Sequence, residues 1–203
     1  PDHRSFLKGV EKMPAGHYRL LHHGRDPSPP VQWWDVSFAE RRKGGEADLS
    51  AELLHLLRQA VTSRMVADVP LGAFLSGGVD SSSVVALMAE TSREPVRTCS
   101  IGFDVASLDE TSYAGKVAGL FHTDHRSRVV GSDDFTEIGR LAAMFDEPFA
   151  DASALPTWRV CQLARESVTV ALSGDGADEA FAGYRRQMFQ AREEAVRAFL
   201  PAP

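Results

Sequence analysis

The residues with the clearest potential for chemistry form a glycine turn between an apolar run and a predicted helix. Residues 73–75 (AFL) are apolar, residues 76–78 (SGG) form the turn, and residues 81–90 are compatible with a helix. Backbone N–H groups at a helix start lack intrahelical partners and carry the positive end of the helix dipole. A phosphate bound there accepts hydrogen bonds from these N–H groups and places negative charge at the positive end of the dipole. The pattern predicts a phosphate-binding loop, and an ordinary tight turn in which serine or aspartate caps the helix is the alternative.

The side chains of this turn narrow the class of phosphate site. The spacing G-x-x-x-x-G-K-[ST] and its lysine are absent, which excludes a Walker loop. Ser76, Ser81 and Ser82 supply hydroxyl groups, whereas Asp80 places a carboxylate beside the predicted phosphate. Because a carboxylate repels phosphate unless a cation lies between them, Asp80 is a candidate Mg²⁺ ligand.

A second turn of the same kind follows the apolar run at residues 168–172 (VTVAL). Residues 173–179 (SGDGADE) are rich in glycine and acidic side chains and lead into a predicted helix. Ligands of open parallel sheets lie at the carboxyl ends of the strands, so the two turns are expected to face one crevice. Asp80 and Asp178 would then share a Mg²⁺ ion, with Asp175 and Glu179 nearby. For this turn taken alone, a solvated acidic loop that caps the next helix is the alternative.

Taken together, these motifs resemble the asparagine synthetase group of glutamine-dependent amidotransferases, within the PP-loop ATP pyrophosphatase superfamily. The resemblance rests on stretches that occur in the family's order, at residues 69–82, 100–103, 146–149 and 172–179, followed by Gly183-Tyr184. It covers nearly the whole chain, and residues 6–10 and 14–18 look like the tail of the family's preceding glutaminase domain.

The resemblance implies an ATP-dependent reaction that forms an amide. ATP would adenylate the side-chain carboxylate of aspartate or a related acid and release pyrophosphate, and ammonia would then attack the acyl-adenylate. Fixed donors and Mg²⁺ at the departing pyrophosphate would stabilise the transition state more than the ground state. By position, the resemblance assigns the adenosine contacts to Leu75, Ile101, Ser173 and Gly174, and the pyrophosphate contacts to Ser76, Gly77, Gly78, Ser81 and Ser82. It assigns the Mg²⁺ ligands to Asp80 and Asp178. The residue linked to formation of the acyl-adenylate, which is glutamate in some members, is Asp175 here.

Two other functions remain open at the level of sequence. Another PP-loop amide synthetase, such as a β-lactam synthetase, would share the same ATP site. A nucleotide-binding module without turnover would bind ATP and shift a conformational or partner equilibrium. A thiolating PP-loop enzyme is disfavoured because it usually needs reactive cysteines, and the two cysteines here are internal and far apart in sequence, at Cys99 and Cys161.

Strand and helix patterns alternate from about residue 48, which predicts an α/β fold with a parallel twisted sheet and helices on both faces. The resemblance makes this fold adenine nucleotide alpha hydrolase-like. Asp48 is a candidate cap of the first helix, and Glu110 follows a strand end, where it either caps a helix or faces the crevice. Predicted strands cover 96–103, 127–130 and the run ending at 172, and predicted helices cover 111–121, 133–144, 154–166 and a final segment from about 178.

Residues 1–47 differ from the rest because proline and glycine interrupt any long periodic pattern. Two short strands are predicted there, at 17–21 and 31–36, and Trp33 and Trp34 either pack on this chain's own surface or remain exposed. Through the resemblance, we interpret 1–47 as the tail of a preceding glutaminase-like domain with its linker, and 48–203 as the ATP-binding core of a synthetase domain. We expect this core to be truncated at its C-terminal end, so that the chain by itself shows weak ATP binding and little turnover.

Composition agrees with one sizeable folded core. The chain has 203 residues, of which 43% are hydrophobic and 25% charged, and its formal net charge of −6 argues against a general nucleic-acid surface. Two cysteines without C-x-x-C spacing suit a reducing compartment, and no apolar run reaches membrane-spanning length, so we predict a cytoplasmic location without membrane contact. The partners that the resemblance implies are ATP, aspartate or a related acid, and ammonia from a glutaminase domain. The sequence leaves open whether the chain is a monomer or a homodimer.

Overall fold

The computed structural model describes residues 4–37, 42–105, 109–131 and 136–197. Within these ranges an N-terminal pair of short strands precedes a region in which strands and helices alternate. The elements are β1 (His17–Tyr18), β2 (Val31–Gln32), α1 (Glu46–Arg64), β3 (Leu71–Phe74), α2 (Val79–Thr91), β4 (Arg97–Phe103), α3 (Thr111–Leu120), β5 (Asp124–Val130), α4 (Ile138–Ala142), α5 (Ala154–Arg165), β6 (Val170–Leu172), α6 (Ala177–Phe181) and α7 (Arg185–Arg197).

The central sheet contains four parallel strands in the order β5-β4-β3-β6. In the middle of the sheet, Ala73 pairs with Thr98 on one side and with Leu172 on the other. The longest ladder joins β4 to β5 and ends with the pair Phe103 and Val130. The predicted α/β class with a parallel sheet is therefore confirmed. Because the strands are parallel, their carboxyl ends meet at one edge, and the turns after β3 and β6 lie there side by side.

Helices cover both faces of this sheet, as predicted. Successive side chains of a strand point to opposite faces, so Ala73 and Phe74 reach different layers. Ala73 belongs to the larger cluster, into which α1, α2 and α3 contribute Val61, Val85, Met88, Ala114 and Ala118. Phe74 packs instead against the smaller cluster, formed by Cys99, Leu163, Ala164 and Val168 on the α5 side.

Helix α2 is the best-buried helix and carries the first glycine turn at its N-terminus. Val85 is fully buried and Met88 is 1% exposed. Burying an aliphatic side chain of this size contributes about 1.5–3 kcal/mol each, relative to leaving it in water. The start of α2 is therefore anchored through its own core face.

Some helix bounds differ from the sequence prediction. The helix predicted for 133–144 is a short α4, and residues 132–135 lie outside the described part of the chain. Ile138 is 52% exposed and Met144 is 55% exposed, so these apolar side chains lack the packing that would carry the helix beyond Ala142. Asp48 lies in the first turn of α1 without capping it, because Gly45 occupies the N-cap position without a side-chain bond.

The predicted final helix is divided into α6 and α7. Ala182 adopts a left-handed conformation with φ of 58°, which ends α6. The N–H of Gly183 donates to the carbonyl of Asp178 at 3.0 Å and closes the turn. This is the arrangement in which a left-handed residue terminates a helix and its orphan carbonyls find new donors.

The N-terminal segment forms a small antiparallel pair in which His17 lies opposite Gln32. Trp33 is 68% exposed and Trp34 is 55% exposed, so of the two alternatives the structure shows the exposed one. An ion pair between Lys12 and Glu147 joins this segment to the core. Among the helices that the structure describes, none combines the length and apolar character needed to cross a membrane.

Candidate functional site

The first glycine turn is shaped by contacts with strand β4 and helix α3. Leu75 is 1% exposed, and its N–H donates to the carbonyl of Cys99 at 2.9 Å, which extends the sheet by one residue. Gly77 has φ of 87°, in the left-handed region that favours glycine. A β-carbon at Gly77 would lie 2.5 Å from Cβ of Tyr113 and 2.6 Å from the backbone nitrogen of Ala114. Glycine therefore lets this turn pack directly against the start of α3.

Serine hydroxyls hold the turn in shape from within. The N–H of Ser76 donates to Oγ of Ser81 at 3.2 Å, and the two hydroxyls lie 2.9 Å apart. The N–H of Gly78 donates to Oγ of Ser76 at 3.2 Å, and the Ser81 hydroxyl donates to the carbonyl of Gly78 at 3.3 Å. These bonds organise the backbone before any ligand arrives, which lowers the cost of binding an anion there.

The second glycine turn touches the first. A β-carbon at Gly174 would lie 2.7 Å from the backbone nitrogen of Ser81 and 2.9 Å from the carbonyl carbon of Asp80. Within the second turn, the N–H of Asp175 donates to Oγ of Ser173 at 3.1 Å. Gly176, with φ of 88°, stands at the N-cap of α6. The two motifs, about a hundred residues apart in sequence, are thus brought into direct contact at the carboxyl edge of the sheet.

Both turns open into one cavity of about 510 Å³. One wall is apolar, where the ends of β3 and β4 face α5. The other walls carry carboxylates, and none of the described residues that line the cavity is lysine, arginine or histidine. The apolar wall is formed by Phe74, Cys99, Ile101, Phe103 and Val160, and the carboxylates belong to Asp80, Glu110, Asp175, Asp178 and Glu179.

This division predicts how a ligand would lie in the cavity. An aromatic or apolar group suits the wall between β4 and α5, whereas an anionic group needs the N–H groups of the turns and a cation to offset the carboxylates. A nucleoside with a polyphosphate tail has both parts.

At the outer wall of the cavity, Tyr184 is bonded to Glu179. The Tyr184 hydroxyl donates to Oε1 of Glu179 at 2.6 Å, and the Arg186 guanidinium lies 4.7 Å from the centre of the Tyr184 ring. The hydrogen bond from Tyr184 lowers the pKa of Glu179, and the same bond raises the pKa of Tyr184. Glu179 is therefore held as a carboxylate.

Cys99 contributes a thiol to the apolar wall. Burial, and secondarily the neighbouring Cys161, raise its pKa to about 11. A thiol with this pKa stays protonated near neutral pH and behaves as a small apolar side chain. A nucleophilic role for Cys99 is therefore disfavoured.

Comparison with known proteins identifies the family. The family model described as asparagine synthase matches residues 52–201, which span both glycine turns. This chain belongs to the asparagine synthase family. The family assignment made from the sequence motifs is thereby confirmed.

Relatives with high similarity carry related names. A putative asparagine synthetase [glutamine-hydrolyzing] 2 of Methanocaldococcus jannaschii is 46% identical over 144 residues, covering 70% of this chain and 28% of that protein. Asparagine synthetase [glutamine-hydrolyzing] 1 of Bacillus subtilis is 37% identical over 140 residues, covering 68% of this chain and 22% of that protein. The chain thus spans about a quarter of the length of these relatives.

Among solved structures, the NMN synthetase from Francisella tularensis matches with a TM-score of 0.46 and 16% sequence identity. The match covers 70% of this chain and 59% of that chain.

The structure brings together most of the residues at which the sequence places the asparagine synthase site. Three of the twelve do not line the cavity. Gly77 and Gly78 belong to the first turn but do not line the cavity. The Ser82 hydroxyl is buried and has no hydrogen-bond partner among the described atoms. The residues that line the cavity are Leu75, Ser76, Asp80, Ser81, Ile101, Ser173, Gly174, Asp175 and Asp178.

Sequence reasoning missed several other residues of the cavity wall, among them Pro156 and Thr157. From the sequence, Glu110 is either a helix cap or a residue that faces the crevice. The structure places it at the N-cap of α3 but shows no side-chain capping bond, and Glu110 lines the cavity. Thr157 carried no detectable signal, since a helical residue near a cavity differs from any other only through its three-dimensional neighbours.

The donor chemistry of the cavity suits Mg²⁺ bound together with a polyphosphate. Asp80 and Asp178 line the same cavity, from the two turns that touch. Within the described ranges, no group of three or more His, Cys, Asp or Glu side chains is arranged to hold a metal ion. Mg²⁺ is commonly held by one or two carboxylates plus phosphate oxygens and water rather than by an all-protein cage. The carboxylates of Asp80 and Asp178, one from each turn, are donors of the type that this ion takes together with phosphate oxygens.

Proposed function

We propose that this chain is the ATP-binding core of a ligase that forms amides from aspartate or a related acid. One observation supports the proposal most strongly. Gly174 of the second turn lies against Asp80 and Ser81 of the first, so that both turns face one cavity with an apolar wall and an acidic wall. In a member of the asparagine synthase family, a cavity of about 510 Å³ with these two walls supports ATP as the ligand.

In this proposal each part of ATP has its own surface. The adenosine part lies against Leu75, Ile101, Ser173 and Gly174. The polyphosphate lies on the first turn, where Ser76 and Ser81 present hydroxyls and the start of α2 presents N–H groups. Asp80 and Asp178 would hold Mg²⁺, which neutralises the pyrophosphate as it leaves.

The proposed reaction has two steps. An oxygen of the acid's side-chain carboxylate attacks the α-phosphorus of ATP, and the bond to the β-phosphate oxygen breaks with its electron pair leaving on pyrophosphate. Ammonia then attacks the acyl carbon, AMP departs with the bonding electrons, and the nitrogen loses a proton to give the amide. Donors fixed at the first turn stabilise charge that develops only as pyrophosphate departs, so they act on the transition state.

Asp175 is the proposed residue for formation of the acyl-adenylate. It lines the cavity beside Ser173, with its backbone N–H bonded to the Ser173 hydroxyl. This bond involves the backbone of Asp175 and not its carboxylate, so it fixes the turn without engaging the side chain. Ammonia from a glutaminase domain and the assignment of 1–47 to the end of such a domain are further parts of this proposal.

The proposal is tested first by binding. Calorimetry of the 203-residue chain with ATP and Mg²⁺ should show binding that weakens by about tenfold or more in Asp80→Ala, since removing a metal partner costs 10–100-fold in affinity. Glu90→Ala removes a carboxylate of the same helix that lies outside the cavity, in an ion pair with Arg58, and should leave the affinity unchanged.

Isotope exchange between ATP and pyrophosphate tests the chemistry. Exchange that depends on aspartate and falls in Asp80→Ala supports the ligase, even where turnover is slow. Binding of ATP without any aspartate-dependent exchange would reduce the assignment to a nucleotide-binding module. An Asp80→Ala isotherm identical to that of the unaltered chain would remove Asp80 from the site.

A further inference from the structure

Glu110 has the position of a helix cap without the function of one. It occupies the N-cap of α3, yet its side chain makes no capping bond. Its neighbour Asp109 provides that function, because Oδ1 accepts from the N–H of Thr111 at 3.1 Å and Oδ2 accepts from the Thr111 hydroxyl at 2.9 Å. The Glu110 carboxylate therefore has no capping bond to make, and Glu110 lines the cavity.

Two close contacts fix where Glu110 lies. At the end of β4, a β-carbon on Gly102 would lie 2.6 Å from Oδ1 of Asp109, so the absence of a side chain there lets Asp109 pack on the strand. One turn further along α3, Tyr113 and Ala114 donate their N–H groups to the Glu110 carbonyl at 3.0 and 3.1 Å. These same two residues pack against Gly77 of the first turn. Glu110 is thus held beside the phosphate-binding turn.

From this geometry we propose that Glu110 is a further residue of the nucleotide site, whose carboxylate couples nucleotide binding to the divalent cation. The proposal rests on the proposed ATP function and adds a specific residue to it. Since no cationic side chain among the described residues lines the cavity, a carboxylate beside the polyphosphate is tolerated only through a cation or its bound water. Carboxylates that accept hydrogen bonds from metal-bound groups support metal affinity without being ligands themselves.

If the charge of Glu110 acts in this way, replacing it should change the ATP affinity in opposite directions without and with a divalent cation. Without a divalent cation, Glu110 repels the polyphosphate, so Glu110→Gln should bind metal-free ATP more tightly than the unaltered chain. With Mg²⁺, the same change should weaken binding. The ratio of the ATP dissociation constants without and with Mg²⁺ is therefore the decisive quantity, and we expect it to fall by about tenfold or more in Glu110→Gln.

The experiment is calorimetry of the 203-residue chain with ATP, in EDTA and in excess Mg²⁺. Glu46→Gln is the matched control, because Glu46 lies in the exposed first turn of α1, also at a helix start and outside the cavity. Glu110→Asp keeps the charge but withdraws it by one methylene, and it should lower the ratio less than Glu110→Gln. Far-UV circular dichroism and thermal melting establish that each variant retains the helix content and stability of the unaltered chain.

The outcomes separate this proposal from the one on which it rests. If the unaltered chain binds Mg²⁺·ATP and Glu110→Gln changes the ratio no more than Glu46→Gln, Glu110 has no part in the site while the ATP function stands. If the unaltered chain binds no ATP under either condition, both proposals fail. A ratio that falls in Glu110→Gln and is largely retained in Glu110→Asp supports the assignment.

Discussion

Gly174 and Ser81 lie so close that a single added carbon on Gly174 would come within 2.7 Å of the Ser81 backbone nitrogen. The two residues belong to different strand–turn–helix units, and only the adjacency of β3 and β6 in the sheet brings them together. Because the Ser81 hydroxyl also organises the first turn, this contact links the shape of one glycine turn to the position of the other.

The first prediction concerns that contact. Gly174→Ala should push the two turns apart, because the nearest atoms are backbone and cannot rotate away. We expect a loss of about 1–3 kcal/mol in the free energy of unfolding, as for other overpacked sites, and a marked loss of ATP affinity. Thermal or urea unfolding and calorimetry measure the two effects.

Gly115→Ala is the control for this substitution. Gly115 lies inside α3, and apart from its chain neighbours and the backbone of its own helix, no described atom lies within 4 Å of the position its β-carbon would occupy. Replacing a helix-interior glycine by alanine should stabilise the chain by about 0.5–1 kcal/mol without affecting ATP. Equal ATP affinity in Gly174→Ala and Gly115→Ala would contradict the role given to the contact between the turns.

The second prediction concerns Gly183 and the carboxylate of Asp178. A side chain at Gly183 would overlap the Asp178 carboxylate, so Gly183→Ala must displace it. Because Asp178 is a proposed Mg²⁺ ligand, the variant should bind ATP with a weaker dependence on Mg²⁺, in the direction of Asp178→Asn. Titration of ATP binding against Mg²⁺ measures this, and a Mg²⁺ dependence equal to that of the unaltered chain would argue that Asp178 does not contact the cation.

The third prediction is a pH dependence of stability caused by His125. Its ring lies between the Thr98 hydroxyl, 2.9 Å from Nδ1, and the Ser100 hydroxyl, 3.2 Å from Nε2, and burial lowers its pKa. The unfolded chain therefore binds a proton at higher pH than the folded chain. The contribution of neutral His125 is complete above its unfolded pKa of about 6.5 and is lost as the pH falls below that value.

Melting temperatures between pH 8 and pH 5 measure this effect. The melting temperature of the unaltered chain should fall more steeply below pH 6.5 than that of His125→Gln, which cannot titrate. His55→Gln, at an exposed position of α1, should keep the slope of the unaltered chain. A slope in His125→Gln equal to that in His55→Gln would show that other groups cause the pH dependence.

The fourth prediction concerns the reactivity of the two cysteines. Cys99 is buried with a pKa of about 11, whereas Cys161 is exposed, although partial burial of its thiol also raises its pKa. Iodoacetamide at pH 8 should therefore modify Cys161 well before Cys99, and urea should abolish the difference. Peptide mass spectrometry over time measures both rates, and rapid labelling of Cys99 in the folded chain would contradict its assigned burial.

Local patterns were sufficient for most of the core elements. The apolar run ending at Leu75, followed by glycines and a helical stripe, predicts β3 and α2 because a strand, a turn and a buried helix face each leave their own periodicity. The prediction was weakest where periodicity was not matched by burial. The apolar residues near Ile138 predicted a helix that continues to residue 144, but Ile138 and Met144 remain exposed, and without packing the helix ends at Ala142.

The break between α6 and α7 could not be predicted in the same way. Ala182 is a good helix former, and its left-handed conformation accompanies a bond from the Gly183 N–H to the Asp178 carbonyl that no local pattern predicts. Glu110 raises the same difficulty. A glutamate before a helix is equally consistent with a cap and with a cavity wall. The structure distinguishes the two, because Asp109 accepts the hydrogen bond from the N–H of Thr111 and Glu110 makes no capping bond.

The sequence by itself determined the chemistry available to this protein: two glycine turns with carboxylates and hydroxyls, the family to which they belong, and the alternation that makes a parallel sheet. Only the tertiary structure decided which of these groups meet. Neighbouring strands in a parallel sheet bring their carboxyl ends together whatever their separation along the chain, so the contact between Gly174 and Ser81, and the place of Glu110 in the same cavity, follow from strand order rather than from any local pattern.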